Sequence, residues 1–82
     1  MNKPFADSPI PEFKPRYLAN GEEVFGQLKA VEHAEEFMLV TFGHEEIVIP
    51  YNAELETALG KLVGGRASIL RLGKEHFCGR LA

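Results

Sequence analysis

From residue 22 to residue 81 the chain falls into strand-like runs, and one short stretch inside it switches to helical spacing. In residues 22–31, Val24, Gly26, Leu28 and Ala30 fall on one side, while Phe25, Gln27, Lys29 and Val31 fall on the other. Gly26 in mid-run predicts a bulge or a sharp bend. The region of His33 and Ala34 is expected to turn the chain. Residues 35–42 are then apolar on both faces, Phe37 and Leu39 alternating with Met38, Val40 and Phe42. A strand of that kind is central in its sheet, or one face meets another segment or a partner. Gly43 and His44 predict a hairpin with glycine at the positive φ of a type II′ turn. Ile47, Val48 and Ile49 make a third strand, which Pro50 ends.

Residues 52–63 carry the helical signal. Asn52 is a good N-cap, and Glu54 and Glu56 suit the positive end of a helix dipole. Leu55, Ala58, Leu59, Leu62 and Val63 form one apolar stripe. Gly60 costs about 1 kcal/mol in a helix interior, so the helix either carries it or stops there, and Gly64 and Gly65 end it in any case. Two more strands follow, over 66–72 and 76–81, joined by a turn at Gly73, Lys74 and Glu75. In the last, Phe77, Gly79 and Leu81 share one face and His76, Cys78 and Arg80 the other.

Residues 1–18 hold four of the five prolines, Pro4, Pro9, Pro11 and Pro15. Proline fixes φ and lacks an amide donor, so neither helix nor central strand can run here. The expectation is an extended, partly disordered arm over 1–18 and a folded domain over 19–82. Phe5, Ile10, Phe13, Tyr17 and Leu18 are spaced through the arm, which predicts docking near 13–18 and disorder before it. No PxxP pair is present to suit an SH3-type partner.

The 82 residues make one domain, and a domain this small hides only about 60% of the surface that its unfolded chain exposes. One cysteine, Cys78, allows no internal disulfide. With no apolar segment at the start and no run of the roughly 18 residues that a bilayer demands, the expectation is a cytoplasmic protein without a membrane partner. Net charge is −3, unevenly spread. Residues 20–60 contain one base, Lys29, against nine acids, Glu22, Glu23, Glu32, Glu35, Glu36, Glu45, Glu46, Glu54 and Glu56. Residues 61–82 contain five bases, Lys61, Arg66, Arg71, Lys74 and Arg80, against Glu75 alone.

The order β-β-β-α-β-β over residues 22–81, with a glycine-bent first strand, resembles the OB-fold, a five-stranded Greek-key barrel with its helix between the third and fourth strands. The resemblance implies a mainly β fold, a small β-barrel behind the arm. It also implies a ligand face on the second and third strands, flanked by the loops near 33–36 and 73–75. It transfers no individual residue.

Three function classes compete. A single-stranded nucleic-acid module needs a basic groove and stacking rings. Phe25, Phe37 or Phe42, and Phe77 are the candidate rings, and Lys29, Arg66, Arg71, Lys74 and Arg80 the candidate phosphate contacts. Arg71 and Arg80 are expected across from each other on the last hairpin. Against this, the first three strands are acidic, and so small a core calls for most of the phenylalanines it has. An enzyme or metal protein finds little support. His76 and Cys78 supply two ligands where zinc needs three or four, and His33 with Glu35 and His44 with Glu45 read as surface pairs in turns. No cofactor motif is present. The leading expectation is a non-catalytic interaction module, binding a protein or itself, with Phe25, Lys29, Arg66, Arg71, Lys74 and Arg80 as candidate ligand contacts. Single-stranded nucleic acid is the alternative ligand.

Overall fold

The computed structural model describes residues 14–81 and is mainly β, a single sheet curled into a half-barrel with one short helix. Its elements are β1 (Arg16–Tyr17), β2 (Glu23–Ala34), β3 (Phe37–Phe42), β4 (Glu46–Pro50), α1 (Ala53–Gly60), β5 (Arg66–Leu72) and β6 (Glu75–Arg80). The strand order is β1-β4-β3-β2-β5-β6, so β2 is the shared strand from which two hairpin halves diverge. Six strands form where five were expected, because Arg16 and Tyr17 of the arm pair in parallel with Ile47 and Val48 on β4. Leu18, the next residue, is 1% exposed and belongs to the core. The expected docking thus takes the form of Arg16, Tyr17 and Leu18. Phe13 and the more distal Phe5, Ile10, Pro4, Pro9 and Pro11 lie outside the described residues.

β2 can serve both halves because it bends. Its first half pairs with β5 from Glu23↔Leu70 to Gln27↔Arg66, and its second half pairs with β3 from Leu28↔Phe42 to Ala34↔Phe37. Gly26 has φ +153°, a conformation that residues with a Cβ rarely adopt, and a Cβ there would lie 3.1 Å from the exposed His44 ring, which would have to shift. The break in register, however, falls between Leu28 and Ala30 rather than at Gly26. There the Leu28 amide donates to Gly65 O at 2.8 Å, and Leu28 O accepts from Gly64 N at 2.9 Å, so the segment after the helix holds the bend. The extra residue inverts the alternation. Val31 and His33 share the core side with their partners Val40 and Met38, while Ala30 turns outward, the reverse of the simple period-two reading.

Two turns also differ from expectation. β2 continues through His33 and Ala34, and the chain reverses at Glu35 and Glu36, where Glu35 takes φ 58°. A two-residue hairpin loop wants positive φ, and here a glutamate supplies it at a steric cost. Gly43 does not take the positive φ of a type II′ turn. Its amide donates to Gln27 O at 3.1 Å, tying the β3–β4 connection to the bend in β2.

The helix starts as expected. Asn52 Oδ1 accepts from the Leu55 amide at 2.9 Å, a side-chain N-cap. It ends at Gly60 rather than running to Val63, and residues 61–64 form the turn that reaches β2. Leu59 is fully buried, and Leu55 and Leu62 pack against the core, which is otherwise supplied by Leu18 and the inner positions of the strands: Val24, Leu28, Met38, Val40, Phe42, Ile47, Ile49, Ala67 and Ile69. Each large side chain of this set contributes about 1.5–3 kcal/mol by leaving water. No described helix is long and apolar enough to cross a membrane.

Candidate interaction surface

Alternation along the strands gives the sheet an inner face, which is the core, and an outer face. The outer rows can be read directly from the register. On β2, β5 and β6 they are Gln27–Arg66, Phe25–Ser68–Gly79, Glu23–Leu70–Phe77 and Leu72–Glu75. Phe25, Leu72 and Phe77 are 56%, 51% and 50% exposed, and small Ser68 and Gly79 leave the Phe25 and Phe77 rings standing clear. So small a core was expected to take most of these rings, although Phe25 was also a candidate ligand contact. Of the four candidate rings only Phe42 is in the core, wholly buried, which excludes it as a stacking platform. Phe37 is also exposed, on the outer face of β3, where its ring meets Tyr17 edge-on at 6.3 Å.

The candidate bases are scattered. Arg66 stands on the outer face beside Phe25's row, and Lys74 occupies the exposed β5–β6 turn next to Leu72. Arg80 lies exposed on edge strand β6, on the inner side of the alternation with Cys78 and His76. It faces Ala67, not Arg71, whose partner is His76, so the expected Arg71–Arg80 pair does not form. Arg71 instead donates from Nη1 to Leu18 O at 2.7 Å and from Nε to Gly73 O at 2.8 Å, locking the arm and the β5–β6 turn together. Lys29 sits at the bend and runs alongside Gly43. Of the six candidates, Phe25, Arg66 and Lys74 share one surface. Arg80 borders it, Arg71 serves the fold, and Lys29 is elsewhere.

Sequence reasoning gave no role to Arg16. Its Nη2 lies 2.9 Å from Glu22 Oε2 and its Nε 2.8 Å from Glu45 Oε1, joining the arm to two acids of the domain. These hydrogen bonds raise the arginine's pKa, and the Glu22 carboxyl is lowered by Arg16 first and by the Ala19 amide second.

His33 stacks flat on Tyr51, centroids 3.9 Å apart, and donates to the main-chain Glu35 O at 2.7 Å rather than meeting its carboxylate. His44 Nε2 and Glu45 Oε2 are 3.1 Å apart on the surface. Burial lowers the His76 pKa, with Arg71 adding to the effect, and burial raises the Cys78 thiol. Their strand edge borders an open cleft of about 530 Å³ against the start of α1, walled by Tyr51, Leu55, Ala58 and Phe77. Among the described residues no three metal-ligating side chains converge. Comparison with protein-family models, curated proteins and solved structures finds no match for this chain.

Proposed function

We propose that this chain is a small non-catalytic interaction module that engages protein through the outer face of its sheet. On this reading it is an OB-like barrel left half open, with the arm residues Arg16, Tyr17 and Leu18 securing one edge. The order of elements and the helix between the third and fourth long strands support the OB-like description. The observation that carries the functional reading is the exposure of Phe25, Leu72 and Phe77 on contiguous outer rows. A domain with so little core gains less in folding from rings left half in water than from buried ones, whereas a clustered apolar patch rimmed by charge suits an interface. The test is a photoreactive benzoylphenylalanine at position 77, irradiated in producing cells, with exposed Val63 on the turn after α1 as the control position. Protein adducts at 77 and none at 63 are expected. Absence of adducts at 77 would contradict the reading.

A second reading is favoured by the same rings. Phe25 and Phe77, with Arg66 and Lys74 close by, offer the combination of stacking and phosphate contact that single-stranded nucleic acid uses. Titration of fluorescent oligo-dT and oligo-rU in salt separates the two. Nucleic-acid binding gives a linear log–log salt dependence and loses about 1–3 kcal/mol per stacked base on Phe25→Ala or Phe77→Ala. No binding at low salt removes this reading.

A further inference from the structure

We infer that two copies of this chain join through β6, edge to edge and antiparallel, so that their sheets become one. β6 ends the strand order, and the other end is already covered, since Arg16 and Tyr17 of the arm lie along β4. β6 has no such cover. The Leu81 amide donates to Arg66 O at 2.9 Å, which extends the β5–β6 register by one pair. Alternate residues of an antiparallel strand turn their main-chain groups to the same neighbour, so Glu75, Phe77, Gly79 and Leu81 bond β5. Arg71, opposite His76, turns its own amide and carbonyl the other way, to Glu22 O at 3.0 Å and the Gly21 amide at 2.7 Å. His76, Cys78 and Arg80 therefore aim their amides and carbonyls out of the sheet, and among the described residues nothing bonds them. A row of unpaired main-chain groups is a template for another strand, and β6 carries no proline, bulge or inward lysine to blunt it. The open cleft of about 530 Å³ between this strand and α1 leaves room beside it.

The strand that fits this edge is β6 itself. Antiparallel copies are related by a two-fold axis perpendicular to the sheet, which keeps inner residues opposite inner ones. Of the registers this allows, only Cys78 opposite Cys78 gives all three free residues of each strand a partner, with His76 meeting Arg80 on either side. The same register sets half-exposed Phe77 across from Gly79 of the second copy, twice over. A Cβ at Gly79 would meet nothing within 4 Å, so that space is free for the ring, and an aromatic laid over a strand glycine is a favourable cross-strand pair. Arg80 meets His76, whose pKa is lowered by burial and then by Arg71, so a neutral ring and not a second cation stands opposite it. The contact uses the same strand of both copies, so assembly closes at a dimer. Both outer faces stay open on one side of the joined sheet, and the inference stands without the outer-face reading.

Sedimentation equilibrium of the full chain, with its thiol reduced, tests this. The 9.1 kDa monomer should give way to a dimer as concentration rises, and to nothing larger. Cys78→Pro removes one edge donor and no bond to β5, so it should keep the strand content of wild type by circular dichroism and weaken association at least tenfold. Cross-linking reads the register and guards against misfolding of the proline variant. A hydrogen-bonded antiparallel pair holds its Cα atoms about 5.5 Å apart, within reach of a disulfide. Oxidised glutathione should therefore link wild-type chains through Cys78 where the dimer forms, and not in denaturant. In a Cys78→Ser background, Phe77→Cys should link to Gly79→Cys when the two are mixed, and neither should link to itself. A wild-type chain monomeric throughout, or a folded Cys78→Pro that associates like wild type, overturns the edge contact. Phe77→Cys or Gly79→Cys linking to itself overturns the register. With benzoylphenylalanine at position 77, an adduct of twice the chain's mass belongs to this contact, and an adduct with another protein belongs to the outer face.

Discussion

Phe42 and Phe77 are the same side chain in strands of the same sheet, and they live in opposite surroundings. Phe42 is fully buried between β2 and β4, with its inner neighbours Leu28, Val40 and Ile47. Phe77 stands half in water on the outer face, opposite Leu70 and diagonal to Ser68. The difference teaches that this domain keeps its stability on one face and leaves apolar area unspent on the other. A protein of 82 residues has little core to spare, so rings left half in water on the outer face are open to a role in contact.

The sharpest way to break the contrast is to truncate both rings. Phe42→Ala should destabilise by about 3–5 kcal/mol in denaturant unfolding, a large share of the roughly 5–15 kcal/mol typical of a domain. Phe77→Ala should stay within about 0.5 kcal/mol of wild type. Equal costs would mean that the outer ring belongs to the fold. Next in size is the arm. Leu18→Ala should cost about 2–5 kcal/mol, because Leu18 is as buried as any strand residue, whereas Tyr17→Ala, one residue earlier and outward, should cost far less. A null result at Leu18 would show that the arm lies on the sheet without supporting it.

A smaller effect of opposite sign is expected at the β2–β3 hairpin. Glu35 holds φ 58°, a conformation that costs a non-glycine residue about 1 kcal/mol, so Glu35→Gly should raise stability by about that amount and raise the melting temperature. The mildest prediction concerns pH. The folded Glu22 carboxyl binds its proton less tightly than the unfolded one, first because of Arg16 and then because of the Ala19 amide. Its stabilisation is therefore present above the ordinary glutamate range and is lost as pH falls through the lowered folded value. Arg16→Gln should flatten the acid side of the stability–pH profile, and an unchanged profile would show the pair to be a surface ornament of no energetic weight.

Much of the fold was legible because its signals are local. Asn52 caps the helix by bonding the Leu55 amide, the glycines at 64 and 73 take positive φ where turns were expected, and β5 occupies the residues its alternation marked. What could not be read depends on contacts between distant residues. The bend in β2 lies at Leu28 to Ala30 because Gly64 and Gly65 bond Leu28 there, and that displacement swapped the faces of Ala30 and Val31. The surface was half legible. Alternation separated Phe77 from Cys78 correctly, but which side faced inward was set by Val24, Ala67 and Ile69 meeting across the sheet. The small residues Ser68 and Gly79, which leave Phe25 and Phe77 standing clear, were the available clue. Arg16 offered none, since its two acids come from separate parts of the chain. The bonds of Arg71 were hidden for a similar reason: its acceptors, Leu18 O and Gly73 O, are main-chain atoms that no residue pattern announces.

The account's central claim is that the outer rings serve contact and not folding, and thermal unfolding of Phe25→Ser/Phe77→Ser in dilute solution tests it most directly. The predicted result is a melting temperature equal to or above that of wild type. A double variant that melts as low as Phe42→Ala would contradict it.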